Sequence, residues 1–271
     1  MQLTSLNDIT KHSRHIFLSP HYDDVIFSCG GTIGVQLSSG VRPLVITVFG
    51  GVPSATTQLS SLAQQDHRDM DIAPVQGVGA AIELRRQEDQ RVMEYLDLDY
   101  LWLDYLDAIY RGTPAYYPTK ASLIGGDVNP SDIAIDRQLA QDLVALHERL
   151  PDAAWYAPLG IGRHVDHQLV CSAVDRLVQR NAKVYFYEEM PYVLEPGALD
   201  ARLAELGGAF EPALVEMSEF LPVRIEASEM YTSRIRPDFG DVANMRRDFE
   251  QYSHSLRPVE TVHLERYWTP R

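Results

Sequence analysis

Two clusters of polar side chains in this chain have the types and spacing for metal chemistry. His21-Tyr22-Asp23-Asp24 follows the apolar run Ile16-Phe17-Leu18, and His164-Val165-Asp166-His167 follows residues 153–157 across a glycine-containing turn. An imidazole and two carboxylates crowded at a strand end are costly to bury unless a metal ion uses them. A set of His, Asp and His ligands leaves one corner of a tetrahedral zinc open for water, which a catalytic site requires and a structural site does not. Asp23 and Asp24 are sequence neighbours and do not easily point at one atom. One suits ligation, and the other suits accepting a proton from the attacking water. Three residues apart, His164 and His167 project from one side of a first helical turn. Taken singly, each of these residues has a structural explanation as a helix cap or a solvated side chain. Taken together, they supply the ligand set of one metal.

The elements that must position the two clusters are legible as apolar runs alternating with periodic segments, the pattern of repeated βα units. Strands are expected over residues 14–19, 44–49, 100–103, 153–157 and 183–187, and helices over 25–37, 80–95, 133–150 and 164–179. Both clusters then lie beyond the carboxyl ends of strands, where open parallel sheets bind their ligands. Gly30-Gly31-Thr32 reads as close packing of the first helix on the sheet, since no strand directly precedes a G-x-G-x-x-G pattern. Residues 50–79 carry Pro, Gly, Ser, Thr and Gln with little periodicity and exceed the length of an ordinary connection. They are expected to form a lid or wall of the site. Beyond Met190 short helices and loops alternate, with a returning strand over residues 259–268. The expectation is a single domain over residues 1–271 with a Rossmann-like α/β fold, a largely parallel sheet and helices on both faces. Its metal-site core covers about 14–190, and an α+β extension covers about 191–271.

Composition sets the bounds. The chain has 271 residues, 45% hydrophobic and 23% charged, enough for a sizeable core. A formal net charge of −14 disfavours nucleic acid and anionic membrane, both of which demand a basic surface. Small molecules are the favoured partners, and a homo-oligomer is compatible with the composition. Residues 1–14 hold no apolar stretch of signal-peptide length, and no later run approaches the ~20 residues of a spanning helix. The expected location is the cytoplasm. The two cysteines, Cys29 and Cys171, form no CxxC pair and read as small buried apolar residues.

With these residues in view, the chain resembles the zinc-dependent PIG-L/LmbE-like de-N-acetylases, whose members carry His-Pro-Asp-Asp after the first strand and His-Pro-Asp-His later. The matching stretches are Ser19-Pro20-His21-Tyr22-Asp23-Asp24, then Ser28-Cys29-Gly30-Gly31-Thr32, and Gly162-Arg163-His164-Val165-Asp166-His167-Gln168. Weaker echoes lie at residues 84–89, 107–111, 187–192 and 265–268. The resemblance implies hydrolysis of the N-acetyl group of an amino sugar, releasing acetate and a free amine. It implies His21, Asp24 and His167 as ligands of one Zn2+ per chain, Asp23 as the general base, and His164 as stabiliser of the oxyanion. Asp166 would fix an imidazole tautomer, although its place in a first helical turn equally answers the helix dipole. Arg85 and Asp107 stand where members of the family hold sugar hydroxyls, with a solvated helix charge and a loop residue as the plain alternatives. Tyr22 and Tyr192, with Trp102 and Tyr110, offer aromatic faces to a sugar or simply fill a core. His67 is expected to be solvated. The chain departs from the family at Tyr22 and Val165, which replace the two prolines, and at Val25, which replaces an acidic residue. These changes bear on loop shape and substrate and remove no ligand.

Two other functions fit parts of the pattern. A metal-dependent hydrolase of a phosphoester or another amide keeps the ligands. Phosphoryl transfer usually gathers basic groups or a second metal, however, and the motifs supply one metal site and few nearby cations besides Arg163. A sugar-binding relative without turnover would have no use for Asp23 and His164.

Overall fold

The structure, a computed structural model, describes every residue other than Glu260. The first part of the chain forms β1 (His15–Ser19), α1 (Asp24–Ser38), β2 (Leu44–Thr47), α2 (Ser61–Asp69), α3 (Ala80–Tyr95) and β3 (Asp99–Trp102). It continues through α4 (Lys120–Leu123), α5 (Ile133–Arg149), β4 (Ala154–Pro158), α6 (Val165–Val178) and β5 (Lys183–Tyr187). The C-terminal part adds α7 (Ala198–Leu206), β6 (Phe210–Glu216), α8 (Leu221–Glu229), α9 (Thr232–Phe239), α10 (Val242–Ser255) and β7 (Leu264–Pro270).

The strands form one sheet in the order β3-β2-β1-β4-β5-β7-β6. Strands β3, β2, β1, β4 and β5 are mutually parallel, while β7 runs antiparallel to both β5 and β6. The chain leaves β1 toward β2 on one side and later returns to β4 on the other, so the crevice between β1 and β4 is the point where strand order reverses. Ligands bind at such a point, beyond the carboxyl ends of the strands. β2 and β4 are buried along their whole length, as parallel strands covered on both faces must be. Alternation along β4 identifies the two layers. Tyr156 stacks on Phe17 and accepts a hydrogen bond from Gln36 of α1, while the Trp155 ring meets His147 of α5 on the other face.

Three expectations need correction. Residues 50–79 are not structureless, because they contain α2 and a 3-10 turn at Pro74–Gln76. Ser60 caps α2 by accepting from the Ala63 N–H, and only Ala63 and His67 are buried, too few to print a helical period on the sequence. Strand β6 was not expected; it is an edge strand, where the ladder tolerates Pro212. The returning strand starts at Leu264, later than the expected 259, and Glu260 lies outside the described residues.

The glycine pair packs closely, Gly31 against Glu265 of strand β7 as expected and Gly30 against α8 instead of the sheet. A Cβ on Gly30 would stand 2.9 Å from the Arg224 side chain, and one on Gly31 would stand 2.6 Å from the Met217 sulfur. The space is used by a buried ion pair from the C-terminal part, Arg224 with Glu265 at 3.3 Å. Glu265 accepts the Gly31 and Thr32 N–H groups at 2.8 Å each, and Arg224 Nε donates to the Phe27 carbonyl at 3.0 Å. Both cysteines are buried and unpaired. No helix among the described residues is long and apolar enough to cross a membrane.

Candidate metal centre

The turn after β1 is fixed by short-range bonds. Ser19 Oγ donates to the His21 carbonyl and accepts from the Val25 N–H, and the His21 N–H donates to Asp24 Oδ2 at 2.7 Å. Asp23 occupies the N-cap of α1, yet its carboxylate makes no capping bond. It accepts instead from Arg85 Nη2 of α3 at 2.7 Å. The neighbouring carboxylates therefore diverge, as their adjacency requires.

The second cluster enters on the loop after β4. Gly162 has φ +76°, and a Cβ there would stand 2.5 Å from the Tyr192 ring, so the tight turn requires glycine. His164 is the N-cap of α6, its Nδ1 accepting from the Asp166 N–H at 3.2 Å. That bond places the ring proton of a neutral His164 on Nε2. Burial, followed by the neighbouring His21, holds the His164 pKa well below the ordinary imidazole value, so the ring is neutral.

His21 Nδ1 lies 3.2 Å from Asp24 Oδ2, and His167 Nε2 lies 3.3 Å from the same oxygen. Donors held about 2.0–2.2 Å from a tetrahedral ion stand roughly 3.3–3.6 Å apart, so these separations are close to those of ligands around one ion. All three side chains are buried, and His167 Nε2 has no hydrogen-bond partner. Burial works against charge on both rings, but Asp107, Asp166 and Asp24 raise the pKa of His21, and Asp24 and Glu189 raise that of His167 to about 9. This concentration of buried negative charge is what a divalent cation would neutralise, and the donor set fits zinc. His21, His164 and Asp166 also cluster closely enough to hold an ion. There the carboxylate is already committed to the Ala108 N–H at 2.9 Å and to Arg111 at 2.7 Å, so the first set is the better site.

The surroundings orient the two ligand rings. Asp166 Oδ2 stands 3.1 Å from His21 Nε2, and Glu189 Oε1 stands 3.3 Å from His167 Nδ1. Glu189 is held in turn by the N–H groups of Gly160 and Ile161 at 2.5 and 3.2 Å. Sequence reasoning assigned no role to Glu189, although it follows the end of β5 as His21 follows β1; the same strand-end rule would have found it.

The remaining expected residues divide. Asp107 and Arg85 are both 6% exposed, so neither is a solvated charge. Asp107 Oδ2 stands 3.6 Å from His21 Nε2 and 3.7 Å from Arg85 Nη1, and burial raises its pKa. Tyr192 is half-buried, its ring 5.5 Å from that of His167 and edge-on to it. Tyr22 is 1% exposed; its hydroxyl donates to the Gly50 carbonyl at 2.9 Å and its ring lies edge-on to Trp102. As placed, Tyr22 is a wall residue with no free face for a ligand. Tyr110 is likewise buried, and His67, expected to be solvated, is buried with its Nε2 2.8 Å from the Tyr110 hydroxyl. The packing of α2 onto the turn at Ala108–Tyr110 explains that error. Beside this turn, residues 56–58 with Tyr110, Gly112 and Thr113 line an open surface depression of about 430 Å³.

The cations were also underestimated from sequence. Arg163 points outward to Asp127 and Glu205, whereas Arg85, Arg111 and Arg234 line the interior. Each is matched by carboxylates: Asp23 and Asp107, Asp132 and Asp166, and Asp66 and Asp238. Paired in this way, they do not form the uncompensated cationic cradle of a phosphoryl-transfer site.

Comparison with known proteins finds one family and several relatives. The PIG-L family, described as GlcNAc-PI de-N-acetylase, matches residues 16–178. A 2'-N-acetylparomamine deacetylase of Niallia circulans is 35% identical over 187 residues, covering 65% of this chain and 66% of that protein, just under two thirds of its length. A second protein of the same name, from Streptomyces fradiae, is 29% identical over 222 residues, 79% of this chain and 71% of that one. Among solved structures, the zinc-inhibited form of teicoplanin deacetylase superposes with a TM-score of 0.79 at 24% identity, covering 95% of this chain and 98% of that one. The N,N'-diacetylchitobiose deacetylase of Pyrococcus horikoshii shares the fold at a TM-score of 0.52 and 15% identity, covering 96% and 84%.

Proposed function

The chain belongs to the PIG-L family of de-N-acetylases, and we propose that it hydrolyses the N-acetyl group of an N-acetylated amino sugar, releasing acetate and the free amine. The observation that carries this reading is the convergence of His21 Nδ1, Asp24 Oδ2 and His167 Nε2 in a buried cluster, with Asp23 beside it and uncommitted to capping. These three side chains would hold one zinc ion per chain, and the ion would supply a Lewis acid that polarises the amide carbonyl and acidifies water. Asp23, held on one oxygen by Arg85, takes a proton from the attacking water on the other. His164, neutral with its proton on Nε2, donates to the developing oxyanion. Asp166 and Glu189 keep the rings of His21 and His167 turned toward the ion.

Arg85, Asp107 and Tyr192 form the wall that meets the sugar. Arg85 and Asp107 suit hydroxyl recognition because a charged donor and a charged acceptor stand side by side. The open depression beside Tyr110, lined by the uncharged residues 56–58, would receive a part of the substrate that extends away from the metal cluster. The names of the two relatives and the net charge of −14 both favour a cationic amino sugar, a glycoside of the N-acetylparomamine type. We read residues 1–271 as one domain acting in the cytoplasm.

The test is metal analysis of the purified protein, followed by amine release from a panel of N-acetylated amino sugars that includes 2'-N-acetylparomamine. One bound metal with amine release supports the reading. His21→Ala and His167→Ala proteins that bind zinc as tightly as the parent would overturn the site, and binding of sugar without turnover would overturn the activity.

A further inference from the structure

Helix α9, outside the stretch matched by the family, sends one side chain to the reacting carboxylate. The Arg234 side chain is 19% exposed, and its guanidinium makes two hydrogen bonds to Asp238 one turn on, Nη2 to Oδ1 at 2.8 Å and Nε to Oδ2 at 3.2 Å. Its Nη1 donates to Asp66 of α2 at 3.0 Å. Braced in this way, Nε stands 3.8 Å from Asp23 Oδ2, too far for a hydrogen bond and close enough for strong attraction. The other oxygen of Asp23, Oδ1, is bonded to Arg85. Among the described residues no group donates a hydrogen bond to Asp23 Oδ2. One oxygen is thus fixed, and the other is drawn into place with its lone pairs open.

We propose that Arg234 is a positioning residue for Asp23, fixing the carboxylate rotamer by charge while Asp66 and Asp238 prevent its guanidinium from closing onto Oδ2. An unbraced arginine would pair fully with the carboxylate and occupy the oxygen that must accept the proton. The brace also ties α2, in the segment 61–69, and α9, in the C-terminal part, to the base, so both complete the site. Lysine at this position would keep the charge but lose the planar fork that binds Asp238 and Asp66 together.

The kinetic consequence rests on the deacetylase reading, and the contact itself does not, so two measurements are paired. The first is a thermal-unfolding cycle of Asp23→Asn, Arg234→Met and the double variant in the full-length protein. Shifts in midpoint that fail to add are expected, because the two groups interact; additive shifts would overturn the proposal whatever the enzyme's substrate. The second is steady-state deacetylation. Arg234→Met is expected to lower kcat about tenfold or more, a part of the ~10²–10⁴-fold that a positioned general base contributes, with KM within twofold and metal content unchanged. Arg234→Lys is expected to recover part of that loss. An unchanged kcat, or a loss confined to KM, would overturn the positioning role. Wild-type protein inactive on every N-acetylated sugar would count against the proposed function, and the unfolding cycle would still decide the contact.

Discussion

Asp166 Oδ2 stands 3.1 Å from His21 Nε2, and the same carboxylate is held by Arg111 at 2.7 Å and by the Ala108 N–H at 2.9 Å. A ligand imidazole whose second nitrogen donates to a fixed carboxylate is locked in tautomer and orientation, which raises metal affinity. Asp166→Asn is therefore expected to weaken metal binding about 10–100-fold. Competition against a chelator of known strength measures this directly, and an unchanged affinity would remove Asp166 from the metal centre.

Glu189 plays the corresponding part for His167, held by two backbone N–H groups from the turn after β4. Replacing it with Ala strands both N–H groups as well as the ring. We expect Glu189→Ala to lose metal affinity by a similar factor and to destabilise the fold by about 1–3 kcal/mol for each buried donor left unpaired. Chemical denaturation of metal-free protein separates the two effects. A stability loss with normal metal affinity would show that Glu189 supports the turn alone.

The glycine at position 31 is required by packing. A Cβ would press on the Met217 sulfur at 2.6 Å and on Glu265 Oε1 at 2.8 Å. Gly31→Ala is expected to destabilise by about 1–3 kcal/mol, the usual cost of overpacking a filled core, although alanine favours helices. Gly40, with nothing within 4 Å but φ +77°, provides a contrast: its substitution strains the backbone without a clash. Equal stability of Gly31→Ala and the parent would contradict the packing argument.

Asp89 gives stability a pH dependence of its own. Burial pushes its carboxyl up to about 7, while Tyr231 and Trp102 donate to it at 2.7 and 2.6 Å. The folded chain then keeps a proton that the unfolded chain releases near pH 4. The corresponding stabilisation is full below about pH 4 and declines as pH rises toward and through 7. Urea midpoints between pH 5 and 8 are expected to fall in the parent and to fall less steeply in Asp89→Asn. Parallel slopes in the two proteins would exclude Asp89 as the source.

The order of most strands and helices, and the residues of the proposed metal cluster, were written locally. Runs such as residues 16–18 and 154–157 are buried on both faces and so carry no polar interruption, and His21 and Asp24 directly follow β1, while His167 lies in the first turn of the helix that follows β4. Hydrophobic periodicity and strand-end position are short-range signals, which a sequence displays directly. Helix α2 and strand β6 escaped because one is short and mostly polar and the other is an edge strand containing proline.

What only the tertiary structure decided is which distant groups meet at the site. Glu265 reaches Gly31 across a sequence separation of 234, Arg234 reaches Asp66 across 168, and Asp166 reaches His21 across 145. Tyr22, which the sequence left as either a face for a sugar or a core filler, and His67, expected to be a solvated ring, became buried walls through partners 28 and 43 residues away. A charged side chain carries no mark of its partner; burial alone forces the pairing, and burial is set by how the whole chain folds over the sheet.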